Sequence, residues 1–178
     1  KAGIAAQYQS LFDSQSFHVV DNYDWFKDVG YLTFLRDIGK HVALSQMLGR
    51  DFIQSRIGEG GSGISYAEFS YALIQGYDFL HLYRERGITL QIAGADQWGN
   101  SVTGVQLIRK IDNAEAHVWT APLIINKVTG RKFGKSEDGA VWLDEKKTSV
   151  YKFYQFWLKV DDDGAVDYAI IYTLLSKE

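Results

Sequence analysis

The stretch from Thr89 to Asn100 constrains the chain most. Thr89 to Ala93 reads as a short apolar strand and Gly94 breaks it; Asp96, Gln97 and Asn100 then stand where a helix bearing Val102, Val105 and Ile108 begins. A strand that turns at glycine into a helix, with polar residues gathered at the turn, is the usual ligand-facing edge of an open α/β sheet. Ligands sit beyond the carboxyl ends of such strands, glycine lets a nucleotide approach the backbone, and the helix N-terminus favours anionic groups. Asp96 then suits ribose hydroxyls, and Gln97 a carboxylate or amide edge. A plain βα connection, in which Asp96 and Gln97 only cap the helix, fits the same residues.

With 178 residues, 46% apolar and 15% aromatic, the chain is expected to fold as one domain around a core of its own. It holds no cysteine, which excludes disulfides and thiolate metal sites and fits a reducing compartment such as the cytoplasm. The four histidines, at 18, 41, 81 and 117, lack metal-ligand spacing, so no metal site on the protein is expected. No apolar run is long enough to span a bilayer, and the layout of a signal peptide is missing, so no membrane association is expected. A net charge of −3 argues against a broad basic surface and leaves only local contacts for RNA. The first residue is Lys rather than Met, which suggests a fragment or processed chain.

Upstream of the central turn the pattern is mostly helical. Ile4, Tyr8, Leu11 and Phe12 share helical spacing, and Phe17 to Val20 is short enough for a strand. Asn22 to Tyr31 gathers Tyr23, Trp25, Phe26 and Tyr31, either a local core or a subunit interface. Thr33 is a plausible cap for a helix bearing Phe34, Leu35, Ile38 and Val42, and Ser45 for another running through Met47 to Ile57. Gly58 to Gly63 reads as a flexible loop without a phosphate-binding fingerprint. Ser65-Tyr66-Ala67-Glu68 is a capping box, so a helix should run from Tyr66 to a C-terminal cap at Gly87, with Phe69, Leu73, Gly76, Leu80 and Tyr83 as its core stripe. Beside that stripe Tyr71, Gln75 and Asp78 fall at i, i+4 and i+7, on one face of the helix. They form either a partly solvated face or a pocket wall offering a phenol, an amide and a carboxylate to a small polar ligand.

Beyond the central turn, Leu123 to Ile125 is expected to be a further parallel strand. Asn126 to Ser136 follows it with two glycines and four cations, Lys127, Arg131, Lys132 and Lys135. Clustered positive charge at a strand's carboxyl end suits a polyphosphate whose leaving oxygen becomes more anionic; a solvated charge run is the alternative. Ala140 to Leu143 reads as an edge strand, Ser149 caps an aromatic helix, and a last helix starts near Gly164.

Three stretches in this order and spacing resemble the bacterial-type tyrosyl-tRNA synthetases, which are class I aminoacyl-tRNA synthetases: Phe69-Ser70-Tyr71 through Gln75-Gly76-Tyr77-Asp78-Phe79-Leu80, then Gly94 to Asn100, then Lys132-Phe133-Gly134-Lys135-Ser136 leading into Val141-Trp142-Leu143-Asp144. The resemblance covers most of the chain. It implies a Rossmann-like α/β fold, a parallel sheet with flanking helices, that condenses tyrosine with ATP to tyrosyl-adenylate, releases pyrophosphate and passes tyrosine to tRNA(Tyr). It also implies Mg2+ with the ATP, a cytoplasmic location and a homodimer. By position, Asp78 is similar to the carboxylate that accepts the substrate phenol, and Tyr71 and Gln75 to the residues that hold its α-amino group. Asp96 matches a ribose contact, Gly94 the close approach to the nucleotide, and Gln97 a contact near the reacting carboxylate. Lys132 and Lys135, with Ser136 beside them, match the loop that stabilises the triphosphate in the transition state.

The resemblance makes residues 1–178 a partial catalytic domain, with a dimer-interface connecting segment at about 22–57 and the start of a helical region at about 149–178. The strand and loop with the family's H-I-G-H-like motif are not among these residues, nor is the anticodon-recognition region, so the N-terminal half of the nucleotide fold is expected to be truncated and the isolated chain inactive. Gly58 to Gly63 is longer than the family pattern, and Val150 stands where a proline commonly starts the next helix. The alternatives are a tryptophanyl-type synthetase, which should not place a carboxylate at Asp78, and an inactive binding or dimerisation module of the same fold.

Overall fold

A computed structural model describes residues 2–12, 17–125, 132 and 141–174, apart from the side chains of residues 51 and 52. In chain order the helices are α1 (Ala2–Leu11), α2 (Tyr23–Phe26), α3 (Tyr31–Asp37), α4 (Leu44–Leu48), α5 (Asp51–Ile57), α6 (Tyr66–Arg86), α7 (Trp98–Asp112), α8 (Val150–Leu158) and α9 (Asp162–Tyr172). Strands β1 (Leu90–Gly94) and β2 (His117–Ala121) flank α7 in sequence. Two compact units result: Val20–Pro122, and Lys1–Val19 together with Leu123–Glu178.

Within Val20–Pro122, local sequence sets the limits of α6. The Ser65 hydroxyl accepts the Glu68 N–H at 3.2 Å, while the Ser65 N–H donates to the Glu68 carboxylate at 2.9 Å, as the capping box requires. Gly87 ends the helix in the left-handed region at φ 65°, and its N–H reaches the carbonyls of Leu82 and Tyr83. β1 then pairs with β2 in parallel, Leu90 opposite His117 through Gly94 opposite Ala121. A parallel pair needs a crossover, and α7 supplies it, so this is the expected α/β arrangement of a parallel sheet with flanking helices.

Helix α6 lies against α7 at two glycines. A Cβ on Gly76 would stand 2.9 Å from Thr103 Cγ2, and one on Gly104 would stand 2.7 Å from Phe79 Cβ. The buried residues of α6 are Ala72, Gly76, Phe79 and Leu80, and those of α7 are Ser101, Thr103, Gly104, Leu107 and Ile108. Of the expected α6 stripe, Gly76 and Leu80 are buried, whereas Phe69, Leu73 and Tyr83 are only half-buried. The close approach turns the buried face towards Ala72 and Phe79. Ile38, Phe79, Leu80, Leu107, Ile108 and Ala116 form the core, and burying each large apolar side chain stabilises the fold by about 1.5–3 kcal/mol.

Several expected elements shift. The strand expected at Leu123–Ile125 lies instead at His117–Ala121, and Ile125 makes an isolated antiparallel bridge to Lys132. Pro122 lacks the N–H that a continuing ladder needs, so it divides the apolar run. Phe17 to Val20 is irregular; the Phe17 ring packs edge-on to Phe12 at 5.9 Å and to Tyr8 at 6.3 Å. Helix α3 starts after Gly30, which leaves Thr33 inside it, and α4 starts after Ala43 rather than at Ser45. Gly49 ends α4, so the single helix expected through Ile57 is two. Of the edge strand expected at Ala140 to Leu143, Ala140 lies outside the described residues and Val141 to Leu143 is not a strand, the Trp142 N–H being taken by the Thr148 hydroxyl at 3.0 Å.

The glycine loop is tied at both ends. The Gly63 N–H donates to the Arg56 carbonyl at 2.9 Å, and Arg56 Nε returns a bond to the Gly63 carbonyl at 2.7 Å. Within the other unit, Ser149 caps α8 by accepting the Lys152 N–H at 3.3 Å, as expected, with Val150 as the first helical residue. Asp161 caps α9 two residues earlier than Gly164 would suggest, accepting the Gly164 N–H at 2.8 Å.

Candidate functional site

Asp78 has the most developed surroundings of the expected site residues. It is half-buried on α6, and each carboxylate oxygen receives one side-chain N–H: Oδ1 from Trp25 Nε1 at 2.9 Å and Oδ2 from Asn22 Nδ2 at 3.2 Å. Burial pushes this carboxyl above its ordinary range, while the two donors and His81 pull it back only in part. A carboxylate oxygen can accept more than one hydrogen bond, so both oxygens keep capacity for a further donor.

The donors come from the aromatic segment of α2, which α6 holds in place. The Trp25 indole stacks on His81 with centroids 4.4 Å apart and planes within 19°. Phe26 packs edge-on to Tyr77 at 5.2 Å, and Phe34 closes the group at 5.7 Å from Tyr77. Trp25 and Phe26 therefore belong to a local cluster, whereas Tyr23, Tyr31 and Leu32 of the same segment are exposed.

Gln75, one turn before Asp78, donates from Nε2 to the fully buried Ser101 hydroxyl at 3.3 Å. The close α6–α7 approach makes this bond possible. Tyr71, in contrast, is 56% exposed, so the three residues of the expected face are arranged with Tyr71 outward and Gln75 and Asp78 turned to partners.

At the central turn, Gly94 closes β1, Asp96 is exposed, and Gln97 precedes α7. The Gln97 side chain does not cap α7; its Oε1 accepts the Asn100 amide at 3.2 Å. Simple capping is thus not what the Gln97 side chain does here. Arg50 lies beside the first turn of α7, donating to Thr103 Oγ1 at 2.6 Å with its Cδ 3.6 Å from where a Gly99 Cβ would be. Its guanidinium is half-buried, and that burial lowers its pKa. On β1, the Gln91 Oε1 is buried and has no hydrogen-bond partner among the described residues.

Lys132 is exposed and forms the bridge to Ile125; Lys135 and Ser136 lie outside the described residues. Among the described residues no group of three or more His, Asp or Glu side chains could hold a metal ion, and no helix is long and apolar enough to cross a membrane. Sequence reasoning missed Asn22, Trp25, His81, Arg50 and Gln91. Only His81 left a usable signal, since it sits three residues from Asp78 on the same helix face.

The family model described as "tRNA synthetases class I (W and Y)" matches residues 1–178. The chain is 48% identical over 183 aligned positions to a tyrosine–tRNA ligase of Flavobacterium psychrophilum, covering 99% of this chain and 42% of the relative. It is 51% identical over 160 positions to that of Amoebophilus asiaticus, covering 90% of this chain and 36% of the relative. Among solved structures, a C-terminally truncated mitochondrial tyrosyl-tRNA synthetase of Coccidioides posadasii matches with a TM-score of 0.68 at 30% identity, over 87% of this chain and 44% of that one. The chain thus spans less than half the length of each of these relatives.

Proposed function

The chain belongs to the class I tRNA synthetases of the W and Y family, and we propose that the protein carrying it is a tyrosine–tRNA ligase of the bacterial type. Its reaction is condensation of tyrosine with ATP to tyrosyl-adenylate and pyrophosphate, followed by transfer of tyrosine to tRNA(Tyr). A tryptophanyl enzyme is not favoured, because the similar curated proteins described above are named for tyrosine.

The observation that carries this reading is Asp78. Partial burial restricts water, the Trp25 and Asn22 donors favour the ionised form, and the remaining acceptor capacity suits a phenol O–H. Gln75 and Tyr71, on the same helix, hold the α-amino group at the other end of the amino acid. Gly94 and Asp96 take the nucleotide, Asp96 through the ribose, and Gln97 stands near the reacting carboxylate. Lys132 and Lys135, with Ser136, stabilise the phosphates as negative charge moves onto the leaving pyrophosphate. No side chain acts as nucleophile: the substrate carboxylate attacks the α-phosphorus in line, the bond to the pyrophosphate oxygen breaks, and catalysis is positioning plus electrostatics. Mg2+ enters with the ATP phosphates.

The exposed Tyr23, Tyr31 and Leu32 of the connecting segment support a homodimer as the working state. Absence of cysteine fits a cytoplasmic location.

Tyrosine- and phenylalanine-dependent pyrophosphate exchange with the full-length protein tests the reading. Asp78→Asn should weaken tyrosine activation far more than phenylalanine activation, because phenylalanine buries the carboxylate further and brings no third donor; tyrosyl-tRNA synthetase is itself a known example of such rejection. Tyr71→Phe and Gln75→Ala should lower both alike. A tyrosine-to-phenylalanine ratio unchanged in Asp78→Asn would refute the assignment.

A further inference from the structure

Trp25 meets α6 twice. Its indole edge donates to Asp78 at 2.9 Å, and its face lies on His81 at 4.4 Å, nearly parallel. Asp78 and His81 are three residues apart on the helix, a spacing that sets their side chains on one face. The indole N–H lies in the plane of its ring, so whatever fixes that plane also fixes the direction of the donor. Helix α2 is only four residues long and has no side-chain cap, too short to hold the ring by itself. The imidazole supplies the flat surface, flanked in turn by the Tyr77 ring at 6.2 Å.

We propose that His81 is a positioning residue for tyrosine selectivity: by stacking on Trp25 it aims the indole N–H at Asp78 and sets the acceptor geometry that separates tyrosine from phenylalanine. This rests on the reading of Asp78 as the phenol acceptor. His81 touches no substrate, and its effect travels through the indole. If the ring turns away, Oδ1 loses a charge-assisted bond, the half-buried carboxylate is held less firmly ionised, and it discriminates less well between a substrate with a hydroxyl and one without.

The experiment is kcat/KM for tyrosine and for phenylalanine in pyrophosphate exchange, measured on the full-length protein. His81→Ala should narrow the ratio of the two by about fivefold, a fraction of what a hydrogen bond to a charged group is commonly worth. His81→Phe, which keeps a flat face for the indole, should restore most of it; His81→Leu, similar in volume but not flat, should stay narrowed, whereas a gap in general packing would be filled by either. In a Trp25→Phe background, which lacks the N–H, His81→Ala should narrow the ratio no further. An unchanged ratio in His81→Ala beside a narrowed one in Asp78→Asn overturns the role of His81 and leaves that of Asp78 standing. An equal effect of His81→Ala with and without the Trp25 N–H overturns it too, since the indole would not be the route. An unchanged ratio in Asp78→Asn removes the reading beneath both.

Discussion

Replacing Gly104 by Ala puts a methyl group where α6 and α7 touch. It would stand 2.7 Å from Phe79 Cβ, 2.9 Å from Phe79 Cδ1 and 3.2 Å from the Gly76 carbonyl oxygen. A Cβ is one bond from the backbone and cannot swing aside, so the helices must separate by about 1 Å to regain an ordinary carbon contact of about 3.5–4.0 Å. Overpacking of this kind costs about 1–3 kcal/mol, while alanine in a helix interior gains about 0.8–1.0 kcal/mol over glycine. The expected result is a net loss of about 1 kcal/mol, rising to about 2 kcal/mol where the helices yield least. Urea titration of the full-length protein should show a lower midpoint at unchanged slope. Gly99→Ala is the control on the same helix: the nearest atoms to its Cβ would be those of the Arg50 side chain, at 3.6 Å and beyond, so stability should hold or rise slightly. Separation should also stretch the Gln75–Ser101 bond, now 3.3 Å, and, if Gln75 holds the substrate as proposed, raise the KM for tyrosine. Gly104→Ala as stable as Gly99→Ala would refute the close-approach argument.

On the proposed reading of Lys135, Lys135→Ala in the full-length protein should slow single-turnover adenylate formation and leave equilibrium tyrosine binding little changed, since the charge it would meet develops in the transition state; collapse of binding with a preserved rate would refute that role. Ser65→Ala should lower stability by about 1 kcal/mol in the same urea titration, through loss of the α6 cap, without altering the tyrosine-to-phenylalanine ratio. Arg84, bonded through Nε at 2.8 Å, holds the Asp112 carboxyl below its usual range. Because the folded value is the lower one, the stability this pair adds is present above the ordinary carboxylate range and is lost as pH falls through the folded value. Asp112→Asn should therefore differ from the parent at pH 7 and converge with it in strong acid, and a gap that widens on acidification would contradict the pairing.

Local signals were legible where several neighbouring residues agree, whereas the single hydroxyls Thr33 and Ser45 misplaced two helix starts. The capping box at Ser65, the glycine stop at Gly87 and the Ser149 cap each depend on a few neighbouring residues and stand where the sequence puts them, and the strand expected at Thr89 to Ala93 lies one residue on, at Leu90–Gly94. Elements failed where an apolar run had two readings. Leu123 to Ile125 is as apolar as the segment before it, and only Pro122 says which side can join a ladder. The packing of α6 on α7 was hidden because it depends on small residues, Gly76, Ser101 and Gly104, which a hydrophobic pattern ignores. Two glycines inside helices were a signal nonetheless, since each weakens its helix unless another backbone comes close. Asp78 could be placed on a helix face by counting, but its donors, 56 and 53 residues away in sequence, could not.

If Asp78 accepts the substrate phenol as proposed, its surroundings connect fold to selectivity through one balance. Burial disfavours its charge, and the Asn22 and Trp25 donors favour it, with burial the larger effect in the protein without substrate. On the proposed reading, a bound tyrosine adds burial and a third donor together, so the carboxylate stays ionised and paired. Phenylalanine adds the burial alone. The site then rejects phenylalanine through burial left uncompensated, and it can do so only as far as the two existing donors keep the carboxylate ionised. That places part of the selectivity outside the pocket, in the ring contacts of Trp25 and Phe26 with α6, where a change that spares every substrate contact can still change which amino acid is chosen.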